Sequence, residues 1–199
     1  MAPSKLYYLR HGETDWNVEG RLQGQRDVPL NARGRAQASR SGEILRDLFA
    51  RDNLDPSSLD YLSSPLGRAR ESMELARTAL GLAAEGYRTE TALTEISFGD
   101  WEGFTIPELH KRDPQGVDAR EHDKWHFTPP GGESYEIMAV RMRAWYDRLV
   151  RDTVVAAHGG TARGLMASLG IAPPAVAPLL NIGQGVIYVF EGERLTRYA

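Results

Sequence analysis

The sequence Leu6-Tyr7-Tyr8-Leu9-Arg10-His11-Gly12-Glu13-Thr14 joins a short apolar run to an arginine, a histidine and a glycine. The four apolar residues predict a strand that is covered on both faces, as in a parallel sheet. Because the chain can turn at Gly12, backbone N–H groups and Arg10 can face one anion directly beyond this strand. His11 would then lie close enough to attack that anion. The stretch therefore predicts a phosphate site at the end of a buried strand.

Strands and helices alternate along the rest of the chain. Asn31 is a predicted N-cap for a helix that runs to about Ala50, and Ser64-Pro65 predicts the start of another helix that continues to Leu80. A helical stripe spans Met138–Leu149. The remaining predicted elements are strands at 59–63, 87–89 and 153–157, a helix at 161–169, and a terminal hairpin of 186–191 with 194–198. This order predicts an α/β fold, a three-layer α/β/α sandwich around a mostly parallel sheet.

The pattern loosens between residues 93 and 132, where prolines and glycines are frequent. Such a segment is typical of an insertion that folds over a site rather than of a separate domain. We therefore expect one domain over residues 1–199, with a helical or loop lid at about 93–132.

Composition excludes several classes of protein. The chain has 199 residues, a net charge of −3 and no cysteine, which argues against a broad nucleic-acid surface, a disulfide scaffold and a thiolate nucleophile. No apolar run approaches the roughly 20 residues that cross a membrane. The first strand is expected to begin near Lys5, which leaves no room for a signal peptide, so a reducing cytoplasm is the expected location.

Charged and nucleophilic side chains follow three of the predicted strands. Arg10 and His11 follow the first strand, Arg68 lies in the first turn of the helix after the second, and His158 ends the strand at 153–157. Ligands of open α/β sheets bind beyond the carboxyl ends of the strands, towards which helix N-termini also point. If these strands are neighbours, the two histidines and two arginines converge on one pocket.

The chain resembles the histidine phosphatase superfamily, also called the phosphoglycerate mutase-like family, over nearly its whole length. The resemblance is carried by six ordered motifs: Arg10-His11-Gly12-Glu13-Thr14 with Trp16-Asn17; Gly20-Arg21-Leu22-Gln23-Gly24; Ser63-Ser64-Pro65-Leu66-Gly67-Arg68-Ala69; Leu93-Thr94-Glu95 before Phe98-Gly99-Asp100-Trp101-Glu102-Gly103; Pro130-Gly131-Gly132-Glu133-Ser134; and His158-Gly159-Gly160.

This resemblance implies that His11 is the phosphorylated nucleophile and that Glu95 is the general acid. It further implies that Arg10, Arg68 and a protonated His158 hold the phosphoryl oxygens, where charge is stabilised without a metal or another cofactor. Further expected contacts to the phosphate or substrate come from Asn17, Gln23, Gly24 and Gly159.

Several residues keep an alternative interpretation. The segment after Glu95 also contains Asp100, Glu102 and Glu108, any of which is a candidate acid or a plain surface carboxylate. Glu133 and Ser134 either start a helix or reach a substrate. Three further histidines match no metal motif and are expected on solvated or lid surfaces: His110, His122 and His126.

The sequence around Glu95 resembles the phosphatase branch, which includes broad-specificity and ribazole phosphate phosphatases. Gln23 stands where the mutases have a small hydroxyl residue. We therefore expect a phosphomonoesterase acting on a small phosphate ester, with a phosphoglycerate mutase and a catalytically weak phospholigand-binding module as alternatives. The sequence leaves open the substrate and the oligomeric state, for which a homodimer is one alternative.

Overall fold

The computed structural model describes residues 4–199. Its strands are β1 (Leu6–Arg10), β2 (Asp60–Ser63), β3 (Arg88–Thr89), β4 (Thr153–Ala157), β5 (Ile187–Glu191) and β6 (Arg194–Tyr198). Its α-helices are α1 (Asp15–Glu19), α2 (Ala32–Arg51), α3 (Gly67–Ala79), α4 (Ile106–Arg112), α5 (Pro114–His122), α6 (Tyr135–Tyr146) and α7 (Gly159–Ser168). In the part of the chain described, no helix combines the length and apolar character needed to cross a membrane.

The strands form one sheet in the order β3-β2-β4-β1-β5-β6. β4 lies between β1 and β2 and is parallel to both, with Arg10 opposite Ala157 and Ser63 opposite Ala156. The carboxyl ends of these three neighbouring strands therefore meet at one edge of the sheet. β5 runs antiparallel to β1 on its other side.

Helices cover both faces of the sheet. Successive side chains of a strand point to opposite faces, so the apolar residues of β1 are buried on both. On β1, Leu6 and Tyr8 pack with residues of α6 and α7, whereas Tyr7 and Leu9 pack with residues of α2 and α3. This arrangement confirms the predicted three-layer α/β/α sandwich with a mostly parallel sheet.

The predicted N-cap of α2 is confirmed, because the side chain of Asn31 accepts from the N–H of Gly34. Two other predicted helix starts differ from the observed ones. The prediction that Ser64-Pro65 starts a helix was wrong, because α3 begins at Gly67 without a side-chain cap. α7 begins at Gly159, two residues before the predicted start. The predicted helical stripe extended to Leu149, three residues beyond the observed end of α6 at Tyr146.

The segment at 93–132, for which the sequence predicted helices or loops, contains two short helices, α4 and α5. Thr105 caps α4 together with Glu108, and Asp113 caps α5. A small apolar cluster of Trp101, Leu109 and Val117 packs within the segment. The role of this segment as a lid stays a prediction.

Candidate active site

His11 lies directly beyond β1, and its backbone N–H donates to the carbonyl oxygen of Ala157 at 2.9 Å. The imidazole is 2% exposed, and its Nδ1 lies 2.7 Å from the carbonyl oxygen of Gly12. Because a carbonyl oxygen can only accept, Nδ1 carries the proton and Nε2 keeps its lone pair. Burial, reinforced by the charges of Arg68 and Arg10, holds the pKa of His11 well below its usual range. The structure thus provides a neutral imidazole with a free nucleophilic nitrogen.

Gly12 brings this histidine against the start of α2. A side chain at Gly12 would overlap the backbone of Gly34, so only glycine fits this close approach. The N–H of Gly12 also donates to the hydroxyl of Ser72 on α3 at 3.0 Å. The turn after β1 is therefore fixed by both helices on this face of the sheet.

His158 lies at the end of β4, beside His11. The two ring centroids are 5.2 Å apart, with 57° between the ring planes. The hydroxyl of Tyr8 donates to the carbonyl oxygen of His158 at 2.6 Å and accepts from its N–H at 3.0 Å. Nε2 of His158 lies 2.7 Å from the hydroxyl of Ser64, while Nδ1 has no partner within residues 4–199. Ser64 thus contacts the histidine that follows a neighbouring strand and does not cap α3.

The ionisation of His158 differs from the expectation that this residue is protonated. Burial is the largest cause of a pKa held well below the usual range, and the charge of Arg68 is the next. A proton on this imidazole would be a buried positive charge close to other positive charges. The second histidine is therefore neutral in this structure.

Both predicted phosphate-binding arginines are held by neutral carbonyl oxygens. Arg68 is 1% exposed, and its Nη1 and Nη2 donate to Arg26 and Gly24 at 2.6 and 2.7 Å. Nη1 of Arg10 donates to Ile182 at 2.8 Å. The Nε atoms of Arg10 and Arg68 are buried and have no acceptor in the described part of the chain. The expected phosphate contact Gly24 thus also serves, through its carbonyl, to hold Arg68.

Burial also lowers the pKa of both guanidinium groups. Since neutral carbonyls do not cancel their positive charges, the two groups favour binding of an anion between them.

Glu95 reaches the N-terminus of α7. Its Oε2 accepts from the N–H of Gly160 at 3.1 Å, and its Oε1 accepts from Thr161 at 3.2 Å and Ile96 at 2.9 Å. A side chain at Gly160 would overlap the carboxylate, so this contact also requires glycine. The carboxylate thus lies at the first turn of α7, directly after His158 and Gly159.

The other candidate acids have different partners. Glu102 accepts from the N–H groups of Gln25 and Phe98. Glu108 caps α4 and pairs with Arg21, and Asp100 is exposed. Of these four carboxylates, Glu95 is the one that lines the cavity described next.

A cavity of about 170 Å³ opens at this edge of the sheet. The predicted site residues in its wall are Arg10, Asn17, Gln23, Gly24, Glu95 and Gly159. His11, Arg68 and His158 adjoin it through their neighbours Arg10, Gly24 and Gly159. Six of the nine predicted site residues therefore line one cavity, and the other three lie next to residues of its wall.

Two neutral amides face this cavity. Oδ1 of Asn17 accepts from the N–H of Thr14 and from the side chain of Gln184, which leaves its Nδ2 for a ligand. Oε1 of Gln23 is buried and has no partner within residues 4–199. Both side chains can therefore add polar contacts to a bound phosphate ester.

Tyr135 and Arg163 also line the cavity and were missed from the sequence. Nε of Arg163 donates to the carbonyl of Leu180 at 2.8 Å, and its Nη1 lies 3.4 Å from the hydroxyl of Tyr135. Arg163 follows Gly159 by four residues in α7, a spacing that places both on one helix face. That spacing was the signal available in the sequence.

The remaining candidates lie outside the cavity. Ser134 caps α6, and Glu133 forms an ion pair with Arg141. His126 pairs with Asp123. Across residues 4–199, no group of three or more potential metal ligands comes together.

Comparisons with known proteins agree with this fold. The family model of the histidine phosphatase superfamily (branch 1) matches residues 6–196. The chain is 34% identical to glucosyl-3-phosphoglycerate phosphatase of Mycobacterium tuberculosis, over 91% of this chain and 82% of that protein. It is 28% identical to a 2,3-bisphosphoglycerate-dependent phosphoglycerate mutase of Gloeobacter violaceus, over 94% of this chain and 84% of the mutase.

Among solved structures, that of mycobacterial glucosyl-3-phosphoglycerate phosphatase superposes with a TM-score of 0.78 at 31% identity, covering 98% of this chain and 96% of that one. The match of the family model over nearly the whole chain, together with these relatives, shows that the protein belongs to the histidine phosphatase superfamily.

Proposed function

We propose that this protein is a phosphomonoesterase that hydrolyses small phosphorylated metabolites through a phosphohistidine intermediate on His11. The observation that carries the proposal is the state of His11, a neutral imidazole whose Nδ1 is bonded to a carbonyl oxygen and whose Nε2 is free. A nucleophile of this kind, beside Arg10 and Arg68, suits attack on a phosphoryl group.

In the first step, Nε2 of His11 forms a bond to phosphorus as the bond to the ester oxygen breaks. Nε of Arg10, Nε of Arg68 and the N–H of Gly159 donate to the phosphoryl oxygens, and Nδ1 of His158 adds a further contact. Charge that develops on these oxygens is stabilised by donors that are already in place. The carboxyl group of Glu95 gives its proton to the leaving alkoxide.

In the second step, water attacks the phosphohistidine. The Glu95 carboxylate takes a proton from the water, the phosphorus–nitrogen bond breaks, and inorganic phosphate is released. His11 regains its neutral form, and Glu95 regains the proton for the next turnover. Water replaces the proton that Glu95 gives to the leaving group, and the chain's own residues supply the charges around the phosphoryl group, so the proposal includes no cofactor.

The substrate class is a small phosphate ester, in keeping with a cavity of about 170 Å³. A relative named for glucosyl-3-phosphoglycerate makes phosphorylated glycerate derivatives the first compounds to examine. The absence of cysteine from the sequence accords with a reducing compartment, and we place the enzyme in the cytoplasm.

The second candidate function is a phosphoglycerate mutase, because a mutase is among the relatives. A mutase would return the phosphoryl group of His11 to a second hydroxyl instead of water. The two activities share one phosphohistidine and differ in the acceptor.

A panel of phosphorylated metabolites, assayed with and without 2,3-bisphosphoglycerate, tests the proposal. We expect release of inorganic phosphate that does not depend on bisphosphoglycerate, and trapping of a phosphoenzyme that His11→Ala abolishes. Isomerisation of 3-phosphoglycerate that requires bisphosphoglycerate would identify a mutase. A folded protein that binds phosphate esters but does not turn over p-nitrophenyl phosphate would be a binding module.

A further inference from the structure

Arg141 on α6 contacts the backbone immediately before Glu95. Its Nη1 donates to the carbonyl oxygens of Ala92 at 2.5 Å and Thr94 at 2.9 Å. Its Nη2 lies 2.9 and 3.1 Å from the two carboxylate oxygens of Glu133. One guanidinium group therefore joins a helix, an acidic side chain and the segment that carries Glu95.

The backbone of Glu133, the partner of Arg141, contacts the segment after Glu95. The N–H of Glu133 donates to the carbonyl oxygen of Ser97 at 2.9 Å. Residues 94–98 lie outside the helices and strands, so no regular hydrogen-bond ladder fixes their course. The contacts of Arg141 and Glu133 hold this segment on both sides of Glu95.

These contacts of Arg141 and Glu133 should matter more for proton transfer by Glu95 than for the free energy of unfolding. The side chains of Arg141 and Glu133 are 26% and 16% exposed, and partly solvated ion pairs contribute little to the free energy of unfolding. A general acid, by contrast, must lie within hydrogen-bond distance of the leaving oxygen. Misplacement of a reacting group by about 1 Å can cost about 100-fold in rate.

We propose that Arg141, held by Glu133, is a positioning residue that sets the Glu95 carboxyl group for protonation of the leaving group. Arg141 is absent from the cavity wall and acts through the backbone of residues 92–97. This inference rests on the proposed role of Glu95. It extends the site to an ion pair between α6 and a residue just before that helix, and this pair touches neither the phosphoryl group nor the substrate.

The test compares two leaving groups in a single turnover. Glycerol 3-phosphate needs a proton on its departing alkoxide, whereas p-nitrophenyl phosphate releases a stable phenolate. We expect Arg141→Met to slow the first turnover of glycerol 3-phosphate by about 100-fold, as for a misplaced reacting group, and to leave phosphorylation of His11 by the aryl ester within about three-fold. Glu133→Gln should show the same selectivity with a smaller loss.

Arg143→Met is the matched control, since Arg143 lies on the same helix and pairs with Asp147. It should leave both rates unchanged. Arg141→Lys keeps the charge beside Glu133 but lacks the planar fork, so it should lie between wild type and Arg141→Met. Thermal unfolding of each variant checks the fold, and if Arg141→Met does not fold, Glu133→Gln and Arg141→Lys decide the question.

Equal losses on both esters in Arg141→Met, or no loss on either, would overturn the role of Arg141. The proposed function would stand in that case, because it depends on the activity of the wild type. If wild type forms no phosphohistidine with either ester, the proposed function fails, and the role of Arg141 fails with it.

Discussion

Oε2 of Glu95 lies 3.1 Å from the backbone nitrogen of Gly160, in the first turn of α7. The contact joins the proposed acid to the helix that follows His158, although 65 residues separate the two partners in sequence. A helix N-terminus presents unpaired N–H groups and favours negative charge, so it suits both this carboxylate and a phosphoryl group. The proposed acid therefore lies at the same helix N-terminus as His158 and Gly159, two of the proposed phosphoryl-binding residues.

Replacement of Glu95 by Gln should affect esters according to their leaving groups. Glutamine keeps the size and an acceptor oxygen for the α7 N–H groups but cannot cycle a proton. We expect a severe loss in the first turnover of a sugar or glycerol phosphate, and a much smaller effect on phosphorylation of His11 by p-nitrophenyl phosphate. Burst amplitudes and rates measure this, because steady-state rates also contain the water-dependent second step. Equal burst rates for wild type and variant on both esters would remove Glu95 from the mechanism.

Arg68→Ala should mainly lower turnover. Loss of one preorganised donor to a developing oxyanion typically costs about 100- to 1,000-fold in kcat. Steady-state kinetics with an aryl phosphate measures this effect, and Arg70→Ala, on the exposed side of the same helix, is the control. A rise in KM with unchanged kcat would instead make Arg68 a simple binding residue.

The free energy of unfolding should decrease as the pH falls below about 6.5, the pKa of an unfolded histidine. Both buried histidines have folded pKa values below that value, so the unfolded state binds more protons in this range. Each contributes a slope that grows as the pH falls through about 6.5 and approaches about 1.4 kcal/mol per pH unit at its limit. Urea unfolding between pH 7.5 and about 5.5 measures it. His11→Gln should make the dependence of the unfolding free energy on pH shallower. The control is His110→Gln, at an exposed position, which should leave this dependence unchanged. An unchanged dependence in His11→Gln would contradict a buried neutral His11.

Exhaustive dialysis against EDTA should leave the phosphatase activity unchanged. Arg10, Arg68 and the N-terminus of α7 already supply positive charge and N–H donors to the phosphoryl oxygens in the proposed mechanism. Activity before and after chelation, with re-addition of Mg²⁺ or Zn²⁺, is the measurement. Loss on chelation with recovery on metal addition would require a metal in the mechanism.

Much of the fold and site could be predicted because the signals are local. The apolar runs at 6–9 and 153–157 mark buried strands, and Arg10, His11 and His158 directly follow them. The shared edge of parallel strands then brings these residues together without any knowledge of loop conformation.

Contacts between distant residues could not be predicted in this way. Ser64 has the local features of a helix cap, but its hydroxyl lies against His158, 94 residues later. The neutral state of His158 depends on burial that no local pattern reveals. The cap of α4, in contrast, was present in the sequence as Thr105 with Glu108 three residues later, and the prolines nearby obscured it.

The terminal hairpin protects the strand that carries His11. β5 pairs with β1 along Leu6–Leu9, so a chain ending before Ile187 would present β1 as a sheet edge with unpaired N–H and C=O groups. Exposed edges of this kind recruit strands from other molecules. The last 13 residues, although none of them lines the cavity, therefore keep the strand before the proposed nucleophile from becoming a template for aggregation.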